Sequence, residues 1–165
     1  MIVVSDTTPL ISLMKADCLR LLSPLFQEVL IPQSVYSELT ANPTFTEEAS
    51  QIKNSPFIRV VTVKEQKSVE LLRRVSGLDL GESEAIVFAD DVKADVLLMD
   101  EAKGRAVART MGIYIMGTIG ILLFAHEEKL LSAEETRLAI EKLKEADRHI
   151  SDDLIRYALS KIDSV

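Results

Sequence analysis

Residues 78–105 read LDLGESEAIVFADDVKADVLLMDEAKGR, and this stretch decides how the rest of the chain is interpreted. It predicts a loop, a helix that opens with Glu82 and Glu84, a short buried strand over 95–99, and a second helix. Four apolar residues followed by a charged one are typical of a central parallel strand where it leaves the sheet. Ligands of open α/β sheets bind outside the carboxyl ends of the strands, so Asp100 is a candidate site residue.

The N-terminus shows the same arrangement. Residues 2–4 form an apolar run that ends at Asp6 after a single serine. A helix is expected to follow, with Thr8 as its N-cap and Pro9 in the first helical position, where a missing N–H costs nothing. The pattern predicts a strand, an acidic residue at the strand end, and a helix.

Asp6 and Asp100 point toward one edge of the sheet if their strands are parallel neighbours. Either aspartate alone fits equally well as a residue that stabilises a helix N-terminus. Glu82 and Glu84 at a third helix N-terminus add two more carboxylates to the same region. Four converging acids favour a shared site over independent helix caps.

The overall charge limits which partners are expected. The 165 residues carry a formal net charge of -7, which argues against tight non-specific binding to nucleic acid through Lys and Arg. The chain has no tryptophan and three tyrosines, so few aromatic side chains are available to stack on bases. A nuclease whose acidic cluster is neutralised by a divalent metal ion remains compatible with this charge.

Cysteine, histidine and hydropathy exclude several other classes. The one cysteine, Cys18, lies in a helical apolar pattern and is expected in the core. His126 and His149 are too far apart to suggest a zinc site or a His-based triad. No basic leader precedes the first strand, and no apolar run approaches the about 18 residues that span a bilayer, so a cytoplasmic protein with no membrane partner is expected.

Strands and helices alternate along the remaining chain. Further strands are predicted at 28–32, 58–63 and 113–116, with helices between them. Ser34 and Thr118 are candidate N-caps, and Ser132 with Glu135 predicts a capping box. The fold class is therefore α/β, a three-layer α/β/α sandwich with a mostly parallel sheet of about five strands. Residues 1–165 are expected to form one domain, with C-terminal helices from about 132 packed on it.

Carboxylates brought this close together repel strongly unless a cation lies between them. Mg²⁺ or Mn²⁺ is the expected cofactor, because hard oxygen ligands suit hard cations. Such sites hydrolyse phosphodiester bonds, with one ion activating water and another stabilising the leaving oxygen. The sequence lacks the GxGxxG of a dinucleotide-binding domain, and Thr8 stands where a phosphoryl-transfer enzyme of the haloacid-dehalogenase kind needs its second aspartate.

Five motifs in a fixed order resemble PIN-domain proteins. They are VSDTTPLI at 4–11, PQSVYSEL at 32–39, LGESEAI at 80–86, LMDEAKGR at 98–105 and MGTIG at 116–120. PIN domains in turn resemble the catalytic part of flap endonucleases, whose GExEA motif is similar to 81–85 here. The resemblance implies a PIN-like fold and an acidic site formed by Asp6, Glu38, Glu82, Glu84 and Asp100.

The resemblance also implies an activity. A metal-dependent ribonuclease is expected, the toxin of a type II toxin–antitoxin pair, with metal held by Asp6, Glu82, Glu84 and Asp100. VapC-type toxins have aspartate at the third acidic position, whereas this chain has Glu82 and Glu84, so which of the two binds metal is open. A non-catalytic PIN-like module that binds nucleic acid or regulates is the alternative.

Partners follow from the same resemblance. RNA is the expected substrate, and Lys103, Arg105 and Arg109 are candidate phosphate contacts, although such a run also fits a solvated helix face. A homodimer and a small antitoxin that covers the acidic crevice are expected. The helices of 11–25 and the segment 42–75 are candidate partner surfaces.

Overall fold

A computed structural model describes residues 1–164 and shows one five-stranded, all-parallel sheet in the order β3-β2-β1-β4-β5. The strands are β1 Val3–Ser5, β2 Val29–Pro32, β3 Ile58–Val61, β4 Val96–Leu98 and β5 Ile115–Met116. Helices cover both faces of the sheet. The predicted three-layer α/β/α sandwich is confirmed, and the sheet is parallel throughout the described residues.

Ten α-helices lie within residues 1–164 and connect or cover the strands. They are α1 Thr7–Lys15, α2 Leu22–Phe26, α3 Gln33–Ala41, α4 Thr46–Lys53, α5 Gln66–Ser76, α6 Leu80–Asp91, α7 Ala102–Thr110, α8 Thr118–Glu127, α9 Ala133–Glu145 and α10 Asp152–Asp163. The predicted capping box begins α9, since the Ser132 side chain accepts from Glu135 N–H and the Glu135 side chain accepts from Ser132 N–H.

Strands β2 and β4 are apolar in every position because both faces of the sheet are buried there. In β4, Val96 and Leu98 pack into the core beneath α1, α3 and α8, whereas Leu97 packs into the core beneath α6 and α7. Val3 and Val4 divide between the same two cores in β1. Successive side chains of a strand alternate between faces, so a continuous apolar run supplies two cores at once.

The strand order places a topological switch point between β1 and β4. The chain moves from β1 outward to β2 and β3, then returns to β4 on the other side of β1. Ser5 pairs with Leu98, and the Asp6 N–H donates to the Leu98 carbonyl at 3.0 Å. Asp6 and Asp100 therefore leave the sheet on either side of the switch point, where open α/β sheets bind ligands.

Three predicted N-caps differ from the structure. Helix α1 begins at Thr7 with Asp6 as its N-cap residue, so Pro9 is the third helical residue and Thr8 the second. Ser34 lies inside α3, after Pro32 as the N-cap residue, and Thr118 is the first residue of α8, after Gly117. In each case, the strand residue or glycine before the helix already has the extended backbone that an N-cap position requires.

Helix α5 turns Val69 toward the core and Val75 toward solvent. Val69 is buried, but Val75 is 78% exposed. Steps of three residues on a helix of 3.6 residues per turn drift, so the third position lies about 120° away from the first.

Segment 42–75 is part of the sheet domain. Its strand β3 is hydrogen-bonded along β2 at one edge, and its helix α5 packs against α6. At the other end of the chain, α9 and α10 pack on α8. Within residues 1–164, no helix has the length and apolar character needed to cross a membrane.

Because β4 is buried on both faces, we expect substitutions in this strand to lower the stability of the protein. Leu98 is fully buried, so Leu98→Ala is expected to lower the free energy of unfolding by about 2–5 kcal/mol. Leu138→Ala on α9 is the matched control, since Leu138 is 55% exposed and an exposed substitution changes stability by about 0.5 kcal/mol or less. Urea unfolding followed by circular dichroism measures both. Equal losses for the two variants would contradict the burial of β4.

Candidate active site

Six carboxylates from four parts of the chain gather at the switch point, and we call them the acid cluster. They are Asp6 after β1, Glu38 in α3, Asp79 and Glu82 at the start of α6, and Asp100 and Glu101 between β4 and α7. The negative charges of these residues raise the pKa values of Asp6 and Glu82. The sheet therefore brings together acids that are up to 95 residues apart in the sequence.

Asp6 is the most buried member of the acid cluster, with 2% of its surface exposed. Burial raises its pKa to about 7, although a hydrogen bond from the Thr7 backbone opposes that shift. The charges of Asp79, Glu38 and Asp100 raise the pKa further. An ionised Asp6 is thus costly, because burial keeps solvent away from its charge and neighbouring acids repel it.

Asp79 and Glu82 act as a pair. Asp79 is the N-cap residue of α6, and its Oδ1 accepts a hydrogen bond from the Glu82 N–H at 2.8 Å. Burial raises the pKa of Glu82 to about 8, with further contributions from a side-chain hydrogen bond to Asp79 and the charges of Asp79, Asp6 and Glu101. The charged form of Glu82 is thus disfavoured by burial and by the neighbouring acids together.

Glu38 reaches the cluster from α3 because α6 approaches closely at a glycine. Its Oε2 accepts a hydrogen bond from the Thr7 hydroxyl at 3.0 Å. A Cβ atom on Gly81 would lie 2.4 Å from Glu38 Oε1, so any side chain there would displace the carboxylate. Burial raises the pKa of Glu38, as does the charge of Asp79, while the Thr7 hydrogen bond lowers it.

Asp100 is held in one orientation by the start of α8. Its Oδ1 accepts from the Thr118 N–H at 2.7 Å, and its Oδ2 accepts from the Thr118 hydroxyl at 2.7 Å. The helix N-terminus favours negative charge at this position. Asp100 is therefore an oriented carboxylate at the edge of the cluster, where β4 and β5 both end.

Glu84 is not brought into the acid cluster. It is 6% exposed, and its Oε1 accepts from the Ser34 N–H at 3.3 Å while its Oε2 accepts from Gln66 Nε2 at 2.8 Å. Residues two apart on a helix point about 200° apart, so Glu82 and Glu84 cannot face the same crevice from α6. Glu84 instead ties α6 to the first turn of α3 and to α5.

The three predicted phosphate contacts also separate. Arg105 Nη1 donates to the Met99 carbonyl at 2.9 Å, and the Asp100 charge acts on its guanidinium. Burial is the main effect and lowers the pKa of Arg105, with the neighbouring Arg109 acting in the same direction. Lys103 points elsewhere, because its Nζ lies 2.9 Å from where a Cβ of Gly77 would be, at the end of α5. Arg105 is thus placed beside the acids, with Arg109 near it and Lys103 directed away.

The donor chemistry of the acid cluster fits a divalent metal ion. Its ligand atoms are all carboxylate oxygens, and the raised pKa values of Asp6 and Glu82 mark negative charge that a cation would stabilise. In residues 1–164, none of the six carboxylates forms an ion pair with a Lys, Arg or His side chain. Over the same residues, no three potential ligand side chains are already grouped around one ion position, so the fit rests on the donor chemistry and not on a preformed coordination geometry.

Three contributors to this site were missed at the sequence level. Asp79 had a signal, because an acid three residues before Glu82 is a capping-box spacing. The only sequence signal for Glu101 was its position next to Asp100. The role of Thr118 as the residue that orients Asp100 follows from the pairing of β4 with β5, which the sequence does not reveal.

A family model for the PIN domain matches residues 2–164, nearly the whole chain, and the protein belongs to the PIN-domain family. PIN domains are in general nucleases, and they typically depend on divalent metal ions. No curated protein matches the chain. The family thus supports a coarse assignment to nucleases, and the finer assignments depend on the site itself.

The raised pKa of Asp6 predicts how stability changes with pH when metal is chelated. Asp6 titrates near its ordinary 3.8 in the unfolded chain and near about 7 in the folded protein. Between these values the folded protein keeps a proton that the unfolded chain has lost, so stability falls as pH rises. Asp6→Asn removes this effect, and its advantage over wild type should grow to roughly 4 kcal/mol by pH 8, because each pKa unit is worth about 1.4 kcal/mol.

Thermal and urea unfolding in EDTA at pH 4, 6 and 8 measure this difference. Asp79→Asn is unsuitable as a control because Asp79 belongs to the cluster, so Glu128→Gln, an exposed residue at the end of α8, is the matched variant. A pH-independent difference between Asp6→Asn and wild type would mean that Asp6 is not a destabilised carboxylate.

Proposed function

We propose that the protein is a metal-dependent endoribonuclease that hydrolyses RNA phosphodiester bonds at the acid cluster. The observation that carries the proposal is the pair of carboxylates, Asp6 and Glu82, whose pKa values are raised to about 7 and about 8 at the switch point of the sheet. Membership of the PIN-domain family supports nuclease chemistry. The order of the five motifs supports RNA as the substrate.

Asp6, Glu82 and Asp100 are the residues that would hold Mg²⁺ or Mn²⁺. When bound, the ion supplies an activated water and neutralises charge on the phosphate. Thr118 keeps Asp100 oriented, which limits the reorganisation needed on binding. Glu38, with its raised pKa, is suited to accept a proton at Oε1 from the attacking water.

Arg105 is positioned to bind the substrate phosphate beside Asp100. Its guanidinium is held by the Met99 carbonyl, so the remaining N–H groups are directed with little loss of conformational freedom. Arg109 lies one helical turn further along the same face of α7 and is exposed. We assign these two arginines as the phosphate contacts of the site. Lys103 is not part of this assignment.

The biological role that best suits this activity is the toxin of a type II toxin–antitoxin pair. A homodimer and a small antitoxin that covers the acidic crevice belong to the same proposal, which derives from the resemblance of the motifs to VapC-type toxins. The cytoplasm stays the predicted location. A module that binds nucleic acid without cutting it is the alternative that the cleavage experiment separates.

The first test is cleavage of single-stranded RNA during titration with Mn²⁺ or Mg²⁺. We expect wild type to cleave RNA only when metal is present. Asp6→Asn and Asp100→Asn should each lower the cleavage rate by more than about 100-fold, because the loss of a residue that only orients a metal ligand already costs about 10–100-fold. Glu128→Gln should cleave as wild type does. Metal binding without cleavage of RNA would favour the non-catalytic module, and cleavage that survives both aspartate substitutions would refute the site.

A second test separates the two glutamates of α6. Glu82→Gln should abolish both cleavage and the rise in melting temperature that Mn²⁺ causes, because Glu82 faces Asp6. Glu84→Gln should keep the Mn²⁺-induced rise while lowering stability by about 1–3 kcal/mol, since an amide cannot accept well from both Ser34 and Gln66. The opposite pattern would show that Glu84 is the ligand.

A further inference from the structure

A groove of about 1130 Å³ begins at the acid cluster and continues across the molecule to the C-terminal helix. Asp100 and Arg105 line its near end, and Tyr157 of α10 lines its far end. Leu123 and Phe124 of α8 contribute to its apolar wall. The groove is thus continuous with the proposed catalytic site and extends well beyond it.

Two of the three tyrosines of the chain line this groove. Tyr114 is 64% exposed and Tyr157 is 53% exposed, while Tyr36 packs against the core elsewhere. The Lys161 ammonium lies 5.5 Å from the centroid of the Tyr157 ring, which adds positive charge at one face of that ring. The low aromatic content argues against base stacking, but the fold places the exposed rings of Tyr114 and Tyr157 along the same groove.

Four carboxylates and two arginines line the groove, and two of those carboxylates, Asp100 and Glu101, belong to the acid cluster. Arg105 lies at the near end, and Arg148 is fixed further along by a hydrogen bond from its Nε to Ser12 Oγ at 3.0 Å. Glu127 and Asp147 line the groove as well. Phosphate contacts are therefore few, and a bound polyanion would gain most of its affinity from contacts to its bases.

We propose that this groove binds the single-stranded RNA that flanks the cleaved phosphate, with bases stacked on Tyr114 and Tyr157. The proposal rests on the assigned ribonuclease function and deepens it by naming the groove and the two aromatic rings that would hold the strand beside the cleaved bond. Aromatic rings stack on any unpaired base, whereas the bases of a duplex are already stacked on one another. Arg105 and Arg148 then position the backbone at two points along the strand.

The experiment measures binding and cleavage on the same RNA. A fluorescent single-stranded 12-mer is titrated with protein in Ca²⁺, with its intact length checked on a gel, and cleavage is then measured in Mn²⁺. We expect Tyr114→Ala and Tyr157→Ala each to weaken binding about 5–100-fold. Tyr157→Phe should stay within about twofold of wild type, because the ring that stacks is retained.

Leu138→Ala is the matched control, since Leu138 is an exposed apolar residue that does not line the groove. In cleavage assays, the alanine variants should raise KM for the 12-mer and leave kcat, and the cleavage of a dinucleotide, unchanged. The slope of log affinity against log salt should be near about -2, as expected for a strand with two or three cationic contacts. A duplex of the same sequence should bind at least about tenfold more weakly.

The outcomes separate this proposal from the assigned function. Tyrosine-dependent binding without cleavage would support the groove and refute the ribonuclease. Cleavage by the tyrosine variants with unchanged KM would refute the groove and keep the ribonuclease. Equal affinity for the duplex, or tyrosine-independent binding of the 12-mer, would also overturn the proposal and leave a protein segment as the occupant to test.

Discussion

A buried carboxylate, Asp6, and a half-buried one, Glu82, repel each other in one crevice and lose water that would stabilise their charge, and the fold holds them there. Asp6 and Glu82 have raised pKa values because burial and neighbouring acids act in the same direction. Folding alone gains nothing from this arrangement. A divalent cation changes the balance, since it converts the repulsion into a set of favourable contacts.

The fold supplies the energy that keeps the acids together. Parallel strands buried on both faces end at the same edge, so Asp6 and Asp100 converge whenever β1 pairs with β4. Helix α6 brings Glu82 to that edge, and Gly81 lets α3 approach closely enough for Glu38 to join. Glu84 connects α6 to α3 and α5, so a carboxylate outside the cluster supports the geometry of those inside it.

Much of this arrangement could be predicted from the sequence. Apolar runs that end in Asp6 and Asp100 predicted both the sheet and the edge at which a site would form. The sequence predicted that α6 is a helix but not that Glu84 turns toward α3. That orientation depends on Ser34, a partner 50 residues away in the sequence. The groove was beyond prediction for the same reason, since Tyr114 and Tyr157 come to line one groove only through the packing of α10 on α8.

The most direct test of the central claim is the proton balance of Mn²⁺ binding at pH 7, measured by titration calorimetry in buffers of different ionisation enthalpy. If the acid cluster is held partly protonated until a cation arrives, binding should release about one proton per ion. Asp6→Asn should bind weakly or not at all. Mn²⁺ binding without proton release, or binding unchanged in Asp6→Asn, would contradict the assignment of these buried acids as the metal site.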